Sequence, residues 1–225
     1  PKSMSNCFII VSIDGGAASG KSTTARLLSE KWNFMHVDTG CHYRTLTRHF
    51  LDEEIPPSQD RISQHLSGVT LSTDVQGRTA NMSLNGNLAK GEDLRTASVN
   101  AHVSTFASLP AVREALLEYQ RNQVKIAQDY HFHGLVMEGR DIGSVVLPDA
   151  DLQVFLEADG DTRTQRRAAE GLNDTIMERD RQDSTRKSAP LTCPEGALRI
   201  NTGIHGVEEV LEMISKEISK KTLQT

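Results

Sequence analysis

Residues 8–24, FIIVSIDGGAASGKSTT, decide the fold of this chain. The apolar beginning, residues 8–13, is too short to cross a membrane and has the composition of a strand buried on both faces. The pattern G-x-x-x-x-G-K-[ST] follows, completed by Gly15, Gly20, Lys21 and Ser22. A helix-like segment, TARLLSEKW, comes next. Strand, glycine loop and helix start in this order are the setting of a phosphate-binding loop.

The residue types of this loop suit the phosphates of a nucleoside triphosphate. Glycines let backbone N–H groups turn inward around phosphate oxygens, and the helix N-terminus adds positive potential. The Lys21 ammonium can reach the outer phosphates, and the Ser22 hydroxyl can ligate Mg²⁺. A chance glycine loop is the alternative, and the flanking strand and helix argue against it. The predicted triphosphate site consists of Gly15, Gly16, Ala17, Ala18, Ser19, Gly20, Lys21, Ser22 and Thr23.

Composition restricts the class of protein. The chain has 225 residues, 37% hydrophobic and 24% charged, as expected of one globular domain with small insertions. A net charge of −5 argues against bulk binding of nucleic acid. No segment has the length and apolarity of a membrane span, so we expect no membrane partner. The cysteines form no metal-ligand pattern, and their odd number favours reduced thiols in a cytoplasm: Cys7, Cys41 and Cys193.

Strands and helices alternate along most of the chain, which predicts an α/β fold with a parallel sheet flanked by helices. Helices are predicted at 21–32, 58–66 (capped by Ser58), 94–106, 110–130 and 207–220, and strands at 34–37, 69–73, 78–84, 87–90, 135–137, 152–156 and 197–200. Asn85-Gly86 is a hairpin signal. The brief strands between 69 and 90 therefore predict a small three-stranded insertion.

Polar residues follow two of the predicted strands, at Asp38-Thr39-Gly40 and at Glu138-Gly139-Arg140-Asp141. Ligands of parallel sheets bind beyond the carboxyl ends of the strands. Other polar groups stand in loops or near helix starts: Arg44, Ser104, Arg113, Arg179, Asp183 and Arg186. Each alone is commonly a cap or a surface ion pair. Together they predict recognition of a second anion and of a polar ring.

Arginines are dense near the C-terminal end of an otherwise acidic chain: Arg163, Arg166, Arg167, Arg179, Arg181 and Arg186. A solvated helix face, interleaved with acidic residues, is one interpretation. Because the chain also has a phosphate-binding loop, we favour the interpretation that this segment forms a lid. Arginine suits bidentate recognition of transferring phosphoryl oxygens, and a lid excludes the water that would hydrolyse the triphosphate.

The chain resembles the bacterial cytidylate kinases, which are P-loop nucleoside monophosphate kinases, over nearly its full length. The stretches that carry the resemblance are IDGGAASGKST, DTGCHYR, STFASLPAVREAL, EGRDIGSVVLPDADLQVFL and RDRQDSTRKSAPL. The fourth and fifth are much more specific than the loop alone. Three features depart from the family: Cys41-His42 replaces small apolar residues, Asn201 stands where an Asp is usual, and the arginine lid is short.

The resemblance implies a role for each candidate residue. Arg44, Arg140 and Arg186 would hold the acceptor phosphate, with Thr39 beside it. Ser104, Arg113 and Asp141 would bind the cytosine edge, and Arg179 with Asp183 would hold the ribose hydroxyls. Cytosine presents an amino donor at N4 and acceptors at N3 and O2, so a carboxylate and a guanidinium complement it. Uracil presents the opposite order at positions 3 and 4, which leaves buried groups unpaired.

We therefore expect a P-loop enzyme that transfers the γ-phosphate of Mg·ATP to CMP or dCMP. Lys21, Arg140 and Arg186 would be its catalytic residues, and no general base is needed because the acceptor is already an anion. The expected partners are CMP, dCMP and ATP, without nucleic acid, and we expect a monomer. The expected domains are a core of residues 4–60, 101–160 and 188–225, a monophosphate-binding insertion of 61–100, and a lid of 161–187.

Three alternatives remain. A kinase of a small hydroxylated metabolite would use Asp38 or Asp141 as a base, although these sites carry many arginines for an uncharged acceptor. A GTPase or nucleic-acid ATPase lacks support, since the guanine-binding motif Asn-Lys-x-Asp is absent and the net charge is negative. A non-catalytic nucleotide-binding module is least consistent with the intact Lys21-Ser22 pair.

Overall fold

The computed structural model describes residues 7–89, 91–169, 176–186 and 188–224, except the side chains at 167, 176–179 and 224. The strands are β1 Ile9–Gly15, β2 Phe34–Asp38, β3 Leu71–Gln76, β4 Thr79–Leu84, β5 Asn87–Leu88, β6 Gly134–Gly139, β7 Leu152–Glu157 and β8 Leu198–Asn201. The helices are α1 Lys21–Trp32, α2 Thr39–Asp52, α3 Gln59–Leu66, α4 Ala97–Ala107, α5 Pro110–Asp129, α6 Gly160–Ala169, α7 Ile176–Thr185 and α8 Val207–Gln224.

One sheet organises the molecule, with the strand order β3-β4-β2-β6-β1-β7-β8 and β5 paired to β4. The neighbours from β2 to β8 are all parallel. The chain runs from β1 to β2 on one side of the sheet and later reaches β7 on the other, so the strand order reverses at β1. Ligands of open parallel sheets bind at such a reversal, and the phosphate-loop motif begins there.

Helices cover both faces of this sheet, as the alternating pattern predicts. Val11 and Ile13 of β1 and all of β6 are buried, as expected of mostly apolar strands covered on both faces. One core cluster joins β1 and β7 to α1 and α8, and another joins β2 and β6 to α5. The α/β fold with a parallel sheet flanked by helices is thus confirmed. Among the described residues, no helix combines the length and apolarity needed to span a membrane.

The predicted insertion forms strands that extend the main sheet. Asn85 and Gly86 both have positive φ, 51° and 79°, the geometry of a type I′ turn between β4 and β5. β3 and β5 are antiparallel to β4. β4 is bonded to β2, the outermost strand of the parallel part of the sheet, by a parallel bridge between His36 and Thr79. The division into core, insertion and lid domains stays a prediction.

Several boundaries differ from the predicted ones for local reasons. The helix expected from residue 94 begins at Ala97, because the Thr96 side chain accepts a hydrogen bond from the Val99 amide and caps it there. A short 3₁₀ turn precedes it. Ser58 stands at the N-cap of α3, but its side chain makes no capping bond. The π-helical turn at Ile142–Val146 was not predicted.

Cys41-His42, a departure from the family pattern, lies in the first turn of α2. The His42 side chain is buried against Tyr119, with ring centroids 5.1 Å apart. Within the described part of the chain neither of its ring nitrogens has a hydrogen-bond partner. Burial lowers the pKa of His42 to about 4, against a smaller opposing effect of Asp38. The folded protein therefore holds this imidazole neutral.

This burial predicts a pH-dependent stability. Because the folded-state pKa lies below the unfolded value of about 6.5, the contribution of His42 is complete above that pH and is lost as the pH falls toward 4. Between pH 7.5 and 5 we expect a loss of about 2 kcal/mol from this residue. Urea unfolding of wild type and His42→Leu at both pH values measures it. The surface substitution His102→Gln is the control, and an equal pH dependence in wild type and His42→Leu would contradict the assignment.

Candidate active site

The loop between β1 and α1 has the shape of an anion cradle. Gly20 at the N-cap of α1 has a φ of 93°, and no side chain caps the helix, so its first amides face the loop without a side-chain partner. A Cβ on Gly15 would collide with the carbonyl oxygen of Leu156 in β7. Glycine at this position therefore lets the loop lie close against the neighbouring strand.

The Lys21 ammonium points back into the loop. Its Nζ donates to the Gly16 carbonyl oxygen over 2.6 Å and lies 3.5 Å from Ser19 Oγ. Burial, followed by the charge of Arg140, lowers the pKa of Lys21 to about 8. The charges of Glu138, Asp180 and Asp38 act in the opposite direction, so poor solvation is the main cause of the lowered pKa. An incoming polyanion would stabilise the charged ammonium in this poorly solvated place.

Glu138, at the end of β6, joins the loop to the centre of the sheet. Ser22 Oγ donates to Glu138 Oε2 over 2.8 Å, and His36 Nε2 lies 2.8 Å from Glu138 Oε1. Burial opposes protonation of His36, but the hydrogen bond and charge of Glu138 raise its pKa overall. Glu138 was not a predicted site residue. The signal that could have identified Glu138 from the sequence is its place at the carboxyl end of a buried strand, beside Arg140-Asp141.

The start of α2 forms the facing wall of the cleft. Asp38 caps the helix by accepting from the Cys41 amide over 3.2 Å. Thr39 Oγ1 donates to the Glu138 carbonyl oxygen over 2.8 Å, which binds this wall to β6. Arg44 Nη2 donates to Asn100 Oδ1 over 3.3 Å, so α4 holds its guanidinium at the cleft, which Arg44 lines.

The Asp141 carboxylate forms a buried ion cluster at one end of the cleft. Arg113 Nη2 bonds to its Oδ2, and Arg186 Nη2 lies 3.3 Å from its Oδ1. Burial raises the pKa of Asp141, although both guanidinium groups lower it. The Arg113 guanidinium also lies over the Tyr43 ring, 5.6 Å from its centroid. Tyr43 and Ser104 line the same cleft, so a flat polar group could lie between this cluster and α4.

The arginine-rich segment forms α6 and α7, and it packs on the phosphate loop. Arg166 donates to the Thr202 carbonyl oxygen over 2.6 Å and to Thr202 Oγ1 over 3.0 Å. Thr202 Oγ1 in turn donates to the Ser19 carbonyl oxygen over 2.9 Å. Arg163 and Arg166 therefore border the loop, and the lid stays a prediction.

Asp183 of α7 connects two of the predicted phosphate-binding residues. Its Oδ2 lies 3.3 Å from Arg140 Nε, and its Oδ1 lies 3.6 Å from Arg186 Nη1. Asp183 is buried and lines the cleft. The side chain of Arg179, the other predicted ribose-binding residue, lies outside the described part of the structure.

Residues that the sequence singled out thus meet around one cleft. The cleft is lined by Ala17, Ala18, Ser19, Gly20, Lys21, Ser22, Thr23, Thr39, Arg44, Ser104, Arg140, Asp141, Asp183 and Arg186. Gly15 and Gly16 form the base of the loop, and Arg113 stands behind Asp141. Glu138 and Thr202, which contact the loop, are not among the site residues that the sequence predicts.

A glycine loop at the end of a central parallel strand, facing a second wall that carries arginines, defines a P-loop nucleotide-binding protein. The family model described as cytidylate kinase matches residues 11–220, and the chain belongs to the cytidylate kinase family.

Relatives named cytidylate kinase align with this chain over nearly the full length of both proteins. The protein of Chloroherpeton thalassium is 38% identical, covering 92% of this chain and 91% of its own. Those of Pelotomaculum thermopropionicum and Thermotoga neapolitana are 39% and 38% identical, covering 95% and 94% of this chain and 97% of each relative.

Proposed function

We propose that this protein transfers the γ-phosphate of ATP to CMP or dCMP, giving the nucleoside diphosphate and ADP. The observation that supports it best is the Asp141 carboxylate, buried at the cleft between Arg113 and Arg186. A carboxylate accepts from the N4 amino group of cytosine, and a neighbouring guanidinium donates to N3 and O2. Family membership and the names of the relatives support the same substrate.

The donor triphosphate lies along the loop in this proposal. Loop amides and the start of α1 bind phosphate oxygens, and Lys21 turns from the Gly16 carbonyl toward the transferring group. Arg140 and Arg186 neutralise charge that develops on that group and on the acceptor phosphate. The acceptor is already an anion, so catalysis consists of positioning and charge neutralisation.

Mg²⁺ accompanies the triphosphate in this proposal, and the donors at the loop suit it. Ser22 Oγ and Glu138 Oε2 lie 2.8 Å apart, and both are oxygens of the kind that Mg²⁺ prefers. When bound, the ion neutralises charge on phosphate oxygens. The described residues contain no group of three or more His, Cys, Asp or Glu that could hold a metal. A site of one or two protein oxygens completed by phosphates does not need one.

The acceptor lies on the opposite wall. Arg44, Arg140 and Arg186 bind its phosphate, with Thr39 beside it. Ser104, Arg113 and Asp141 bind the cytosine edge, while Arg179 and Asp183 bind the ribose hydroxyls. Thr39 is fixed by its bond to the Glu138 carbonyl, so the two phosphate sites share β6 as a common support. Reactants held by one rigid strand keep their relative orientation, which lowers the barrier to transfer.

An assay of ADP release across CMP, dCMP, UMP, AMP and GMP tests the proposal. We expect turnover with CMP or dCMP, weaker use of UMP, and little with the purines. A kinase of a hydroxylated metabolite would release no ADP above background with any of these acceptors. That result, with intact ATP binding, would overturn the proposed substrate.

Asp183 carries a prediction about the sugar. A lost hydrogen bond to a charged group corresponds to about 1.5–3 kcal/mol. If the 2′-hydroxyl is its partner, Asp183→Ala lowers kcat/KM for CMP more than for dCMP by about tenfold or more. Because Asp183 also contacts Arg140 and Arg186, a loss common to both substrates is expected in addition. Equal losses for the two sugars would reduce Asp183 to a positioning residue for the arginines. Asp161→Asn on α6 is the surface control.

A further inference from the structure

One acidic side chain of α7 lies where the glycine loop accepts anions. Asp180 Oδ1 accepts from the Ala17 amide over 3.0 Å and from Arg140 Nη1 over 2.6 Å. Its Oδ2 accepts from Arg163 Nη1. The loop amide and both guanidinium groups thus converge on one carboxylate. Ala17 and Asp180 are 163 positions apart in the sequence, so helix α7 has to dock on the loop to bring them together.

This carboxylate is well shielded and charged. The Asp180 side chain is 15% exposed, and those of its arginine partners are 17% and 14% exposed. Burial favours the neutral acid. The charge and hydrogen bond of Arg140, then the Ala17 amide and Arg163, nevertheless hold the pKa of Asp180 below its ordinary value. An ionised acceptor surrounded by a loop N–H and two guanidiniums has the chemical surroundings of a bound phosphate oxygen.

The Asp180 carboxylate packs so closely on the glycine loop that no second anion has room beside it. A Cβ built on Gly16 would lie 2.8 Å from Asp180 Oδ2 and 2.6 Å from Arg163 Nη1. The carboxylate therefore lies directly against the backbone of the phosphate loop. A phosphate bound to the Ala17 amide would overlap it, and the two like charges would repel each other strongly in so dry a site.

We propose that Asp180 is an internal substitute for a phosphate group: its carboxylate occupies an oxyanion position of the donor triphosphate and is displaced when the triphosphate binds. Arg140 and Arg163 then exchange the carboxylate for phosphate oxygens. Asp180 therefore weakens nucleotide binding and keeps the arginines paired while the loop holds no nucleotide. The proposal rests on the proposed function only in taking a triphosphate as the ligand of the loop.

The competing explanation is that Asp180 positions the two arginines for the bound nucleotide. The two explanations predict opposite changes in affinity. If the carboxylate competes with phosphate, its neutralisation tightens triphosphate binding. If it only orients the guanidinium groups, neutralisation loosens them and weakens binding. Turnover alone would not separate the two, because misplaced arginines and slow lid movement both lower kcat.

Calorimetric titration of Asp180→Asn with Mg·ATP, and separately with inorganic tripolyphosphate, tests the proposal at fixed ionic strength without CMP. We expect both ligands to bind about tenfold more tightly than to wild type, since a charge-assisted bond no longer has to be broken. Asp180→Ala, which removes the acceptor atoms entirely, should show a gain of the same sign. Thermal unfolding establishes that each variant is folded.

Asp161→Asn is the matched control. It removes one negative charge from the same arginine-rich segment, at an exposed position of α6, and should leave both affinities within about twofold because exposed charges are screened. Unchanged or weaker binding to folded Asp180→Asn and Asp180→Ala would overturn the proposal and make Asp180 a positioning residue. An unaltered protein that binds tripolyphosphate but not ATP would instead contradict the proposed function. The comparison of tripolyphosphate affinities would still decide the role of Asp180.

Discussion

Replacing Lys21 by alanine should lower kcat by about 10²–10³-fold, the size of effect found when one preorganised charge-stabilising group is removed. The reason is geometric. The Lys21 ammonium is half-buried inside the loop, 2.6 Å from the Gly16 carbonyl oxygen, where the proposed function puts the donor phosphates. Initial rates with saturating Mg·ATP and CMP measure the loss. The affinity for CMP should stay nearly unchanged, because Lys21 lies on the donor side of the cleft.

The other end of the same helix supplies the control for this substitution. Lys31→Ala removes the same charge from the last turn of α1 at an exposed position and should leave kcat unchanged. A Lys21→Ala protein that turns over near the wild-type rate would remove Lys21 from the catalytic residues. An equal rise in KM for both substrates would point instead to a collapsed loop, which thermal unfolding would reveal.

Asp141→Asn should reorder the acceptors. The amide keeps the shape of the side chain but can donate toward O4 of uracil, so we expect weaker use of CMP and relatively better use of UMP. The ratio of kcat/KM values should swing by about 10²-fold, given the cost of unpaired buried polar groups. Competition assays with both monophosphates measure the ratio directly. Asp149→Asn, at an exposed position, is the matched control.

Two other roles for Asp141 make different predictions. If Asp141 were a general base, Asp141→Asn would lower turnover for every acceptor by about 10²–10⁴-fold and leave the ranking of the acceptors unchanged. A residue that only caps the turn after Arg140 would change stability without reordering acceptors. The geometry gives the capping role no support, since the Asp141 side chain makes no capping bond to the following turn and both its oxygens face guanidinium groups. An unchanged ratio of CMP to UMP use would show that Asp141 does not select the base.

Local signals in the sequence were sufficient for the framework of the site. The phosphate loop follows from a strand, two glycines and a helix start, and the structure forms it between β1 and α1. The polar residues after β2 and β6 meet at one edge, because the carboxyl ends of neighbouring parallel strands must do so. The Asn85-Gly86 hairpin also follows from the local preference of those residues for positive φ.

Contacts between distant segments could not be predicted in the same way. The sequence around Asp180 does not indicate that its carboxylate contacts the Ala17 amide. The sequence around His36 likewise does not indicate its contact with Glu138, which lies 102 positions later. These pairs depend on how helices dock and on which strands become neighbours. The burial of His42 was missed for a related reason, since an isolated histidine in an amphipathic helix gives no sign of the neighbour that covers it.

The hydroxyl of Thr202 has a consequence for how the protein is made. The residue follows the last strand, yet its side chain supports the Ser19 carbonyl of the loop, 183 positions earlier. A ribosome therefore releases the complete glycine motif long before the loop has its support. Contacts of such long sequence separation form late in folding. We expect the nascent chain to acquire nucleotide affinity only after its C-terminal strand has docked, so that ATP first binds when the whole sheet is assembled.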